Sequence, residues 1–215
     1  MFNLIFVKIS ETFTNINNMK VVVSNNLLDN FKLKNHEYLI NKKYYDLESG
    51  KQEYRLYSYL STLFNNCYIL DIGTLDGRSA VSLSHNDTNK VISYNIVDQI
   101  KNDYHQIYTK PNIEFKIKNV LDDLTREFVS KLKIVMIDID HFGKVESLIM
   151  NKLYKMGFSG IILLDDIHHP QPKEKLLMEN LWNNINLKKY DVTKYGHFSG
   201  TGIVIMNSNI DFELL

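Results

Sequence analysis

Two short runs of carboxylate and imidazole side chains stand directly after strongly apolar segments of this sequence. The first run contains Asp138, Asp140 and His141, and the second contains Asp165, Asp166, His168 and His169. Carboxylates that converge in one crevice repel one another, so either their pKa values rise or a cation binds between them. Hard oxygen ligands suit Mg²⁺, Ca²⁺ or Mn²⁺. Such a cation could hold a substrate hydroxyl and lower its pKa.

The same side chains also have a simpler interpretation, in which the acids cap helices and bind water at strand ends. The histidines are candidates for a general base, because an unperturbed imidazole titrates near neutral pH. His168 and His169 are adjacent and point to different sides of the chain, so at most one of them is expected to serve this role.

A glycine-bearing segment, residues 71–79, follows another apolar run and opens a helical pattern. Its sequence is Asp-Ile-Gly-Thr-Leu-Asp-Gly-Arg-Ser. Glycine lets a ligand approach the backbone without a Cβ in the way, and the N-terminus of a helix offers free N–H groups to a carboxylate. Leu75 and Arg78 occupy the places of the later glycines of the dinucleotide pattern G-x-G-x-x-G, which counts against a nicotinamide enzyme.

The elements that must position these residues alternate along the chain. Strands are predicted at 68–70, 91–97, 113–117, 134–137, 160–164, 189–192 and 202–206. Helical periodicity marks the segment before Cys67 and the segments 145–156 and 173–182. This alternation is typical of a doubly wound α/β fold with a mostly parallel sheet. Ligands bind such sheets at the carboxyl ends of the strands, where both acidic runs and the glycine-bearing segment lie.

The last two predicted strands break the alternation. The loop between them is too short for a crossover helix, so they are expected to pair antiparallel. Tyr195, His197 and Ser199 in this closing loop would then lie at the same edge of the sheet and could contact a substrate. Alternatively, the glycines of the loop only shape a turn.

The composition narrows the function classes. The formal net charge of the chain is +0, which disfavours nucleic acid and anionic membranes as partners. Cys67 is the single cysteine, so an intramolecular disulfide and a cysteine-based zinc cluster are excluded. The start lacks the features of a signal peptide, and no apolar run approaches the roughly 20 residues of a membrane helix. We therefore expect a soluble, cytoplasmic protein. A homodimer is compatible with this composition.

The segment 71–79 is similar to the acid-x-Gly-x-x-x-Gly-x-Ser cofactor loop of the catechol-type and related small-molecule O-methyltransferases, which are class I enzymes that use S-adenosylmethionine. The resemblance implies that Gly73, Thr74 and Gly77 line the cofactor. It further implies that Asp71 faces the amino end of the cofactor and that Ser79 binds its carboxylate.

The resemblance also places the ribose and adenine of the cofactor, where this sequence departs from the family. Asn95 stands in place of the acid that accepts both ribose hydroxyls, with Asp98 close behind. Asn119 replaces the acid on the adenine side. Asp138 is expected to face the cofactor or to support the metal ligands.

A strand that ends in Asp-x-Asp-His, followed by a helix and Gly-x-x-x-x-Asp-Asp, resembles the metal-dependent members of the family. By this resemblance Asp140, Asp165 and Asp166 are the ligands of Mg²⁺ or another divalent cation. The catechol enzymes carry a lysine general base shortly after the metal-binding aspartate. Here Gly143 occupies the equivalent position, and Lys144 follows one residue later. Lys144 and the histidines His141 and His168 are therefore the candidate catalytic residues.

Together these observations predict a Rossmann-like, doubly wound and mostly parallel seven-stranded α/β sheet with an antiparallel last strand. Residues 1–50 form an N-terminal segment with a lid or extra helices, and residues 51–215 form the methyltransferase domain. The expected reaction moves a methyl group from S-adenosylmethionine to a sugar or phenolic hydroxyl of a small molecule, with a divalent metal. The alternatives are a nucleic-acid or protein methyltransferase and a catalytically silent cofactor-binding scaffold on the same fold.

Overall fold

The computed structural model describes residues 18–39, 42–51, 53–98 and 107–215. The strands are β1 Met19–Val23, β2 Tyr68–Ile72, β3 Lys90–Asn95, β4 Ile113–Ile117, β5 Leu132–Ile137, β6 Gly160–Asp165, β7 Lys188–Asp191, β8 Thr201–Met206 and β9 Ile210–Leu214. The helices are α1 Asn25–Asp29, α2 Lys42–Tyr45, α3 Tyr54–Ser61, α4 Arg78–Leu83, α5 Arg126–Lys131, α6 Lys144–Met156 and α7 Pro172–Asn184.

The central sheet has seven strands in the order β4-β3-β2-β5-β6-β8-β7. Neighbouring strands from β4 to β6 pair in parallel, whereas β8 pairs antiparallel with both β6 and β7. This topology confirms the predicted fold, including the antiparallel last strand of the central sheet, β8. The carboxyl ends of β2 to β6 consequently meet at one edge of the sheet.

Both faces of the sheet are covered, which explains why its central strands are continuous apolar runs. Successive side chains of a strand point to opposite faces. Ile69 accordingly packs in a core with α3 and α4, while Leu70 packs in a second core with α5, α6 and α7. Full burial of a large aliphatic side chain contributes about 1.5–3 kcal/mol to folding.

Strands β1 and β9 form a separate two-stranded parallel sheet. This pairing ties the beginning of the described chain to its end and was not anticipated from the sequence. Val21, Leu28, Leu39 and Tyr45, which all belong to the segment 1–50, are buried in the same core as α3 and α4. Among the described residues, no helix has the length and apolar character needed to span a membrane.

His85 is buried directly after α4, with its ring centroid 4.9 Å from that of Phe31. Burial lowers the pKa of His85 to about 4 from its ordinary value of 6.5. Because the folded state resists protonation of this ring, the unfolded state binds more protons between these two pH values. The stabilising effect is therefore present above pH 6.5 and is lost as the pH falls towards 4.

We expect the free energy of unfolding to drop by about 1–2 kcal/mol between pH 7 and pH 5 as a result of His85, after allowance for solvent screening. Urea denaturation at both pH values, on the wild type and on His85→Leu, measures this contribution. The variant should show a smaller drop than the wild type. An equal drop in both proteins would assign the acid sensitivity to other groups.

Candidate functional site

A cavity of about 550 Å³ opens at the carboxyl ends of β2, β3, β4 and β5. This volume lies within the range of pockets that bind small molecules. Four of the predicted cofactor-binding residues line it, namely Gly73, Asn95, Asn119 and Asp138. The remaining lining residues are Ile72, Leu75, Tyr94, Ile96, Val97, Lys118, Val120, Ile139, Asp140, His141, Val145 and Ile149.

The turn after β2 approaches the end of β5 so closely that only glycine fits. Gly73 has a φ of +104°, and a Cβ placed on it would lie 1.6 Å from the carbonyl oxygen of Asp138. Gly77 has a φ of +81° and caps the N-terminus of α4. A Cβ on Gly77 would lie 2.3 Å from Cδ1 of Ile107, so this glycine is required by packing against Ile107. Gly73 borders the cavity, whereas Gly77 is not among its described lining residues.

Three predicted cofactor residues lie behind this turn. Ser93 donates a hydrogen bond of 2.6 Å to Asp71, and the hydroxyls of Thr74 and Ser93 are 2.6 Å apart. Burial raises the pKa of Asp71 to about 6, and hydrogen bonds from Ser93 and Ser79 oppose that rise. Asp71, Thr74 and Ser79 are all buried, so in this structure they organise the turn, and their direct contact with a cofactor stays a prediction.

The other end of the cavity combines polar and apolar side chains. Asn95 Oδ1 accepts a hydrogen bond of 2.9 Å from the N–H of Ile96, and Asn119 Oδ1 accepts one of 3.0 Å from Leu121. The side chains of Ile96 and Val97 are 74% and 51% exposed although they are aliphatic. Asn95 lines the cavity at this end of β3, whereas Asp98 is exposed and is not among the described lining residues.

The wall of the cavity that follows β5 belongs to a cluster of carboxylates and imidazoles. His141 Nε2 lies 3.6 Å from Asp138 Oδ1 and 3.4 Å from Asp166 Oδ2. His169 Nε2 lies 3.5 Å from the same oxygen of Asp166, and its ring is stacked on that of His141 with centroids 5.2 Å apart. His141 therefore belongs both to the cavity wall and to the cluster.

The closing loop between β7 and β8 supplies the far side of the cluster. His197 Nδ1 lies 3.5 Å from Asp166 Oδ1 and 3.9 Å from Asp165 Oδ1. Ser199 Oγ is 2.5 Å from the same ring nitrogen. The sequence-based expectation that this loop returns to the ligand-binding edge is consistent with these contacts.

Burial and crowding perturb the titration of the cluster. Burial, followed by the charge of Asp166, raises the pKa of Asp138 to about 8, and burial with Asp138 raises the pKa of Asp165 well above its ordinary value. Burial also acts to raise the pKa of Asp166, but polar contacts with His197 and Ser199 lower it below the ordinary value. The pKa of His197 is raised by Asp166 despite burial. Near neutral pH the cluster can therefore accept a proton or a cation.

Three predicted site residues lie outside the cluster of Asp165, Asp166 and His197, although Asp140 lines the cavity. His168 turns away from the cluster, with Nε2 2.7 Å from Asp191 Oδ2, because it points to the opposite side of the chain from His169. Lys144 is exposed at the first residue of α6. Asp140 is exposed and accepts a hydrogen bond of 3.3 Å from the N–H of Phe142. In this structure none of the three contacts Asp165 or Asp166 through a described hydrogen bond or ion pair, and their catalytic and metal-binding roles stay predictions.

Two further buried residues of this region were not singled out from the sequence. Glu53 lies directly before α3 and is 7% exposed. Burial raises its pKa above the ordinary value, and the charge of His197 opposes this rise. The ring of Tyr57 is fully buried, and its pKa is raised by burial and by the charges of Asp165 and Glu53. An acid before an amphipathic helix has the appearance of an ordinary N-cap residue, so no local signal marks Glu53.

No model of a protein family matches this chain, and no curated protein sequence matches it. Solved structures do match its fold. Cofactor-bound Rv0187 from MTB is 14% identical over 71% of this chain and 78% of that chain, with a TM-score of 0.55. The O-methyltransferase from Bacillus cereus in complex with SAH is 14% identical over 84% of this chain and 95% of that chain, with a TM-score of 0.53.

A third match is the SAH-bound methyltransferase PaMTH1 from Podospora anserina, which is 15% identical over 71% of this chain and 77% of that chain, with a TM-score of 0.51. These likenesses agree with the strand order and with the single antiparallel strand β8. The chain has the class I methyltransferase fold.

Proposed function

We propose that this chain transfers a methyl group from S-adenosylmethionine to a hydroxyl group of a small molecule. The observation that carries this proposal is the position of His141, which lines the cavity and also contacts Asp138 and Asp166. A group that can take a proton therefore lines the cavity and faces the carboxylates of the cluster. The methyltransferase fold and the SAH complex of the Bacillus cereus protein support the choice of cofactor.

The cavity suits a nucleoside with a polar tail. Asn95, Lys118 and Asn119 offer hydrogen-bonding groups at the ends of β3 and β4, and the exposed side chains of Ile96 and Val97 offer an apolar surface to a flat ring. S-adenosylmethionine, when bound, supplies a methyl group on a positively charged sulfur that departs as a thioether. The protein then has to align the acceptor with that methyl group and exclude water.

His141 is the general base in this proposal. Burial lowers the pKa of His141, with the charge of Asp166 opposing, so the ring is neutral and able to accept a proton near pH 7. The acceptor hydroxyl gives its proton to Nε2 of His141. Asp166, whose pKa lies below its ordinary value, faces that nitrogen and stabilises the charge that the ring acquires, while Asp138 lies 3.6 Å from the same nitrogen. Proton transfer of this kind contributes typically 10²–10⁴-fold to a rate.

A divalent cation also fits the cluster. Asp165, Asp166 and His197 each offer one ligand atom, and these atoms lie within 4.8 Å of one another. A cation held there would supply Lewis acidity that lowers the pKa of the acceptor hydroxyl. The acceptor class we propose is a small sugar or phenolic compound, and the neutral formal charge of the chain disfavours a nucleic-acid acceptor.

Titration calorimetry with S-adenosylmethionine and with its demethylated product tests the cofactor assignment. We expect Ile96→Asp to weaken binding of both ligands by about tenfold or more, because the variant removes an apolar surface worth about 1.5–3 kcal/mol when covered. Leu176→Asp is the matched control, since Leu176 is 65% exposed on α7 and is not among the described lining residues. Absence of binding of either ligand to the wild type would refute the proposed function.

A further inference from the structure

A buried carboxylate oxygen in the cluster lacks a partner. Asp165 is 6% exposed, and its Oδ1 receives no hydrogen bond from any residue in the described ranges. Leaving a buried acceptor unsatisfied costs about 1–3 kcal/mol. This oxygen points into the group formed with Asp166 and His197, so the group is expected to hold a proton or a cation there.

The spacing of the three side chains matches the ligands of a metal ion. His197 Nδ1 and Asp166 Oδ1 are 3.5 Å apart, which is longer than a good hydrogen bond. Ligands at about 2.1 Å from a cation are about 3.0 Å apart in an octahedron and about 3.4 Å apart in a tetrahedron. The 3.9 Å between His197 Nδ1 and Asp165 Oδ1 is wider than either value, so a small side-chain rotation is needed to bring both atoms to one ion.

A second group, formed by His141, Asp166 and His169, is less suited to a metal. The Nδ1 atom of His169 accepts a hydrogen bond of 3.2 Å from the N–H of Gln171. In the neutral ring the proton then resides on Nε2, so the nitrogen that faces Asp166 has no lone pair to offer. In His197 the nitrogen that faces the carboxylates is Nδ1, which also lies 2.5 Å from Ser199 Oγ. A hydroxyl can turn its proton to Asp166 instead, which the backbone N–H of Gln171 cannot do, and Nε2 of His197 then carries the ring proton.

We propose that the cation of this site is a first-row transition metal such as Mn²⁺, held by Asp165, Asp166 and the imidazole of His197. This inference extends the proposed function by naming the cation class and its third ligand. His197 takes the place that the family resemblance gives to Asp140, which is exposed and engaged with Phe142. Mg²⁺ prefers oxygen ligands and retains its waters, whereas an imidazole nitrogen suits transition metals.

Metal binding to the chelator-treated chain tests this ligand set. We expect Mn²⁺ to bind at least tenfold more tightly than Mg²⁺ in calorimetric titrations with the two chloride salts. His197→Gln should weaken Mn²⁺ binding by tenfold or more, since losing even an outer-sphere partner of a metal costs about 10–100-fold. Asp140→Asn is the matched control, with an expected change of less than about threefold.

Pulsed electron paramagnetic resonance of Mn²⁺ bound to the wild type provides a readout that does not depend on any variant. Coupling to an imidazole nitrogen is expected, and it should change when the protein is labelled with ¹⁵N-histidine. Absence of this coupling, preference for Mg²⁺, or loss of binding in Asp140→Asn with retention in His197→Gln would each overturn the ligand set.

The binding of SAH in the absence of metal is measured on the same preparation. Mn²⁺ binding without SAH binding would leave the metal site standing and remove the proposed methyl transfer. SAH binding without any bound Mn²⁺ would remove the proposed metal site and leave the proposed methyl transfer standing.

Discussion

Replacing Gly73 by alanine is expected to lower the free energy of unfolding by about 2–5 kcal/mol. A φ of +104° costs an alanine about 1–2 kcal/mol or more, and overpacking typically adds about 1–3 kcal/mol. The added Cβ would lie 1.6 Å from the carbonyl oxygen of Asp138, so the ends of β2 and β5 would have to separate. Denaturation in urea, with circular dichroism as the signal, measures the loss.

Gly157→Ala is the matched control for this substitution. Gly157 also has a positive φ, +84°, but a Cβ placed there meets no atom within 4 Å. Only the conformational cost applies, so the control should lose about 1–2 kcal/mol. Equal losses in the two variants would mean that the close approach of the turn to Asp138 has no energetic consequence. The folded fraction of Gly73→Ala is also expected to bind S-adenosylmethionine poorly, because the shifted turn borders the cavity.

Replacing His141 by glutamine is expected to reduce methyl transfer by about 10²–10³-fold, within the usual range for the loss of a general base. Glutamine keeps a polar side chain of similar size but cannot take up the proton of the acceptor hydroxyl. Binding of S-adenosylmethionine, measured by calorimetry, should change by less than about threefold. Turnover of a phenolic or sugar acceptor, followed by the release of demethylated cofactor, gives the rate.

His168→Gln is the control for this experiment, because His168 is also a histidine at the end of β6 but contacts Asp191 outside the cluster. We expect its turnover to stay within about twofold of the wild type. A large loss in His168→Gln together with a small loss in His141→Gln would reverse the assignment of the base. Unchanged turnover in both variants would leave the proton transfer to a different group and contradict the proposed role of His141.

Much of the fold was predictable from the sequence because burial leaves a local pattern. The apolar runs of β5 and β6 indicated strands covered on both faces, and the short connection between β7 and β8 required antiparallel pairing. The glycines at 73 and 77 indicated a tight turn, and the structure shows a positive φ at both. The pairing of β1 with β9 was not predictable, because it joins residues almost 200 positions apart without a local signal.

The sequence by itself determined which chemical groups meet at the carboxyl edge of the sheet. Parallel strands end on one side, so the carboxylates and histidines that follow β5 and β6 had to converge there. It also indicated that adjacent His168 and His169 could not both face the same site.

Only the tertiary structure decided which of these groups contact one another. His141 and Asp166 have left-handed backbones, each with a φ of +56°, and such local turns set the direction of side chains beyond the strand ends. The partners of Asp165 and Asp166 come from remote segments, with His197 in the closing loop. Side-chain direction in loops depends on packing between segments that are distant in sequence. For this reason the position of His197 beside Asp165 and Asp166 could not be derived from residue spacing.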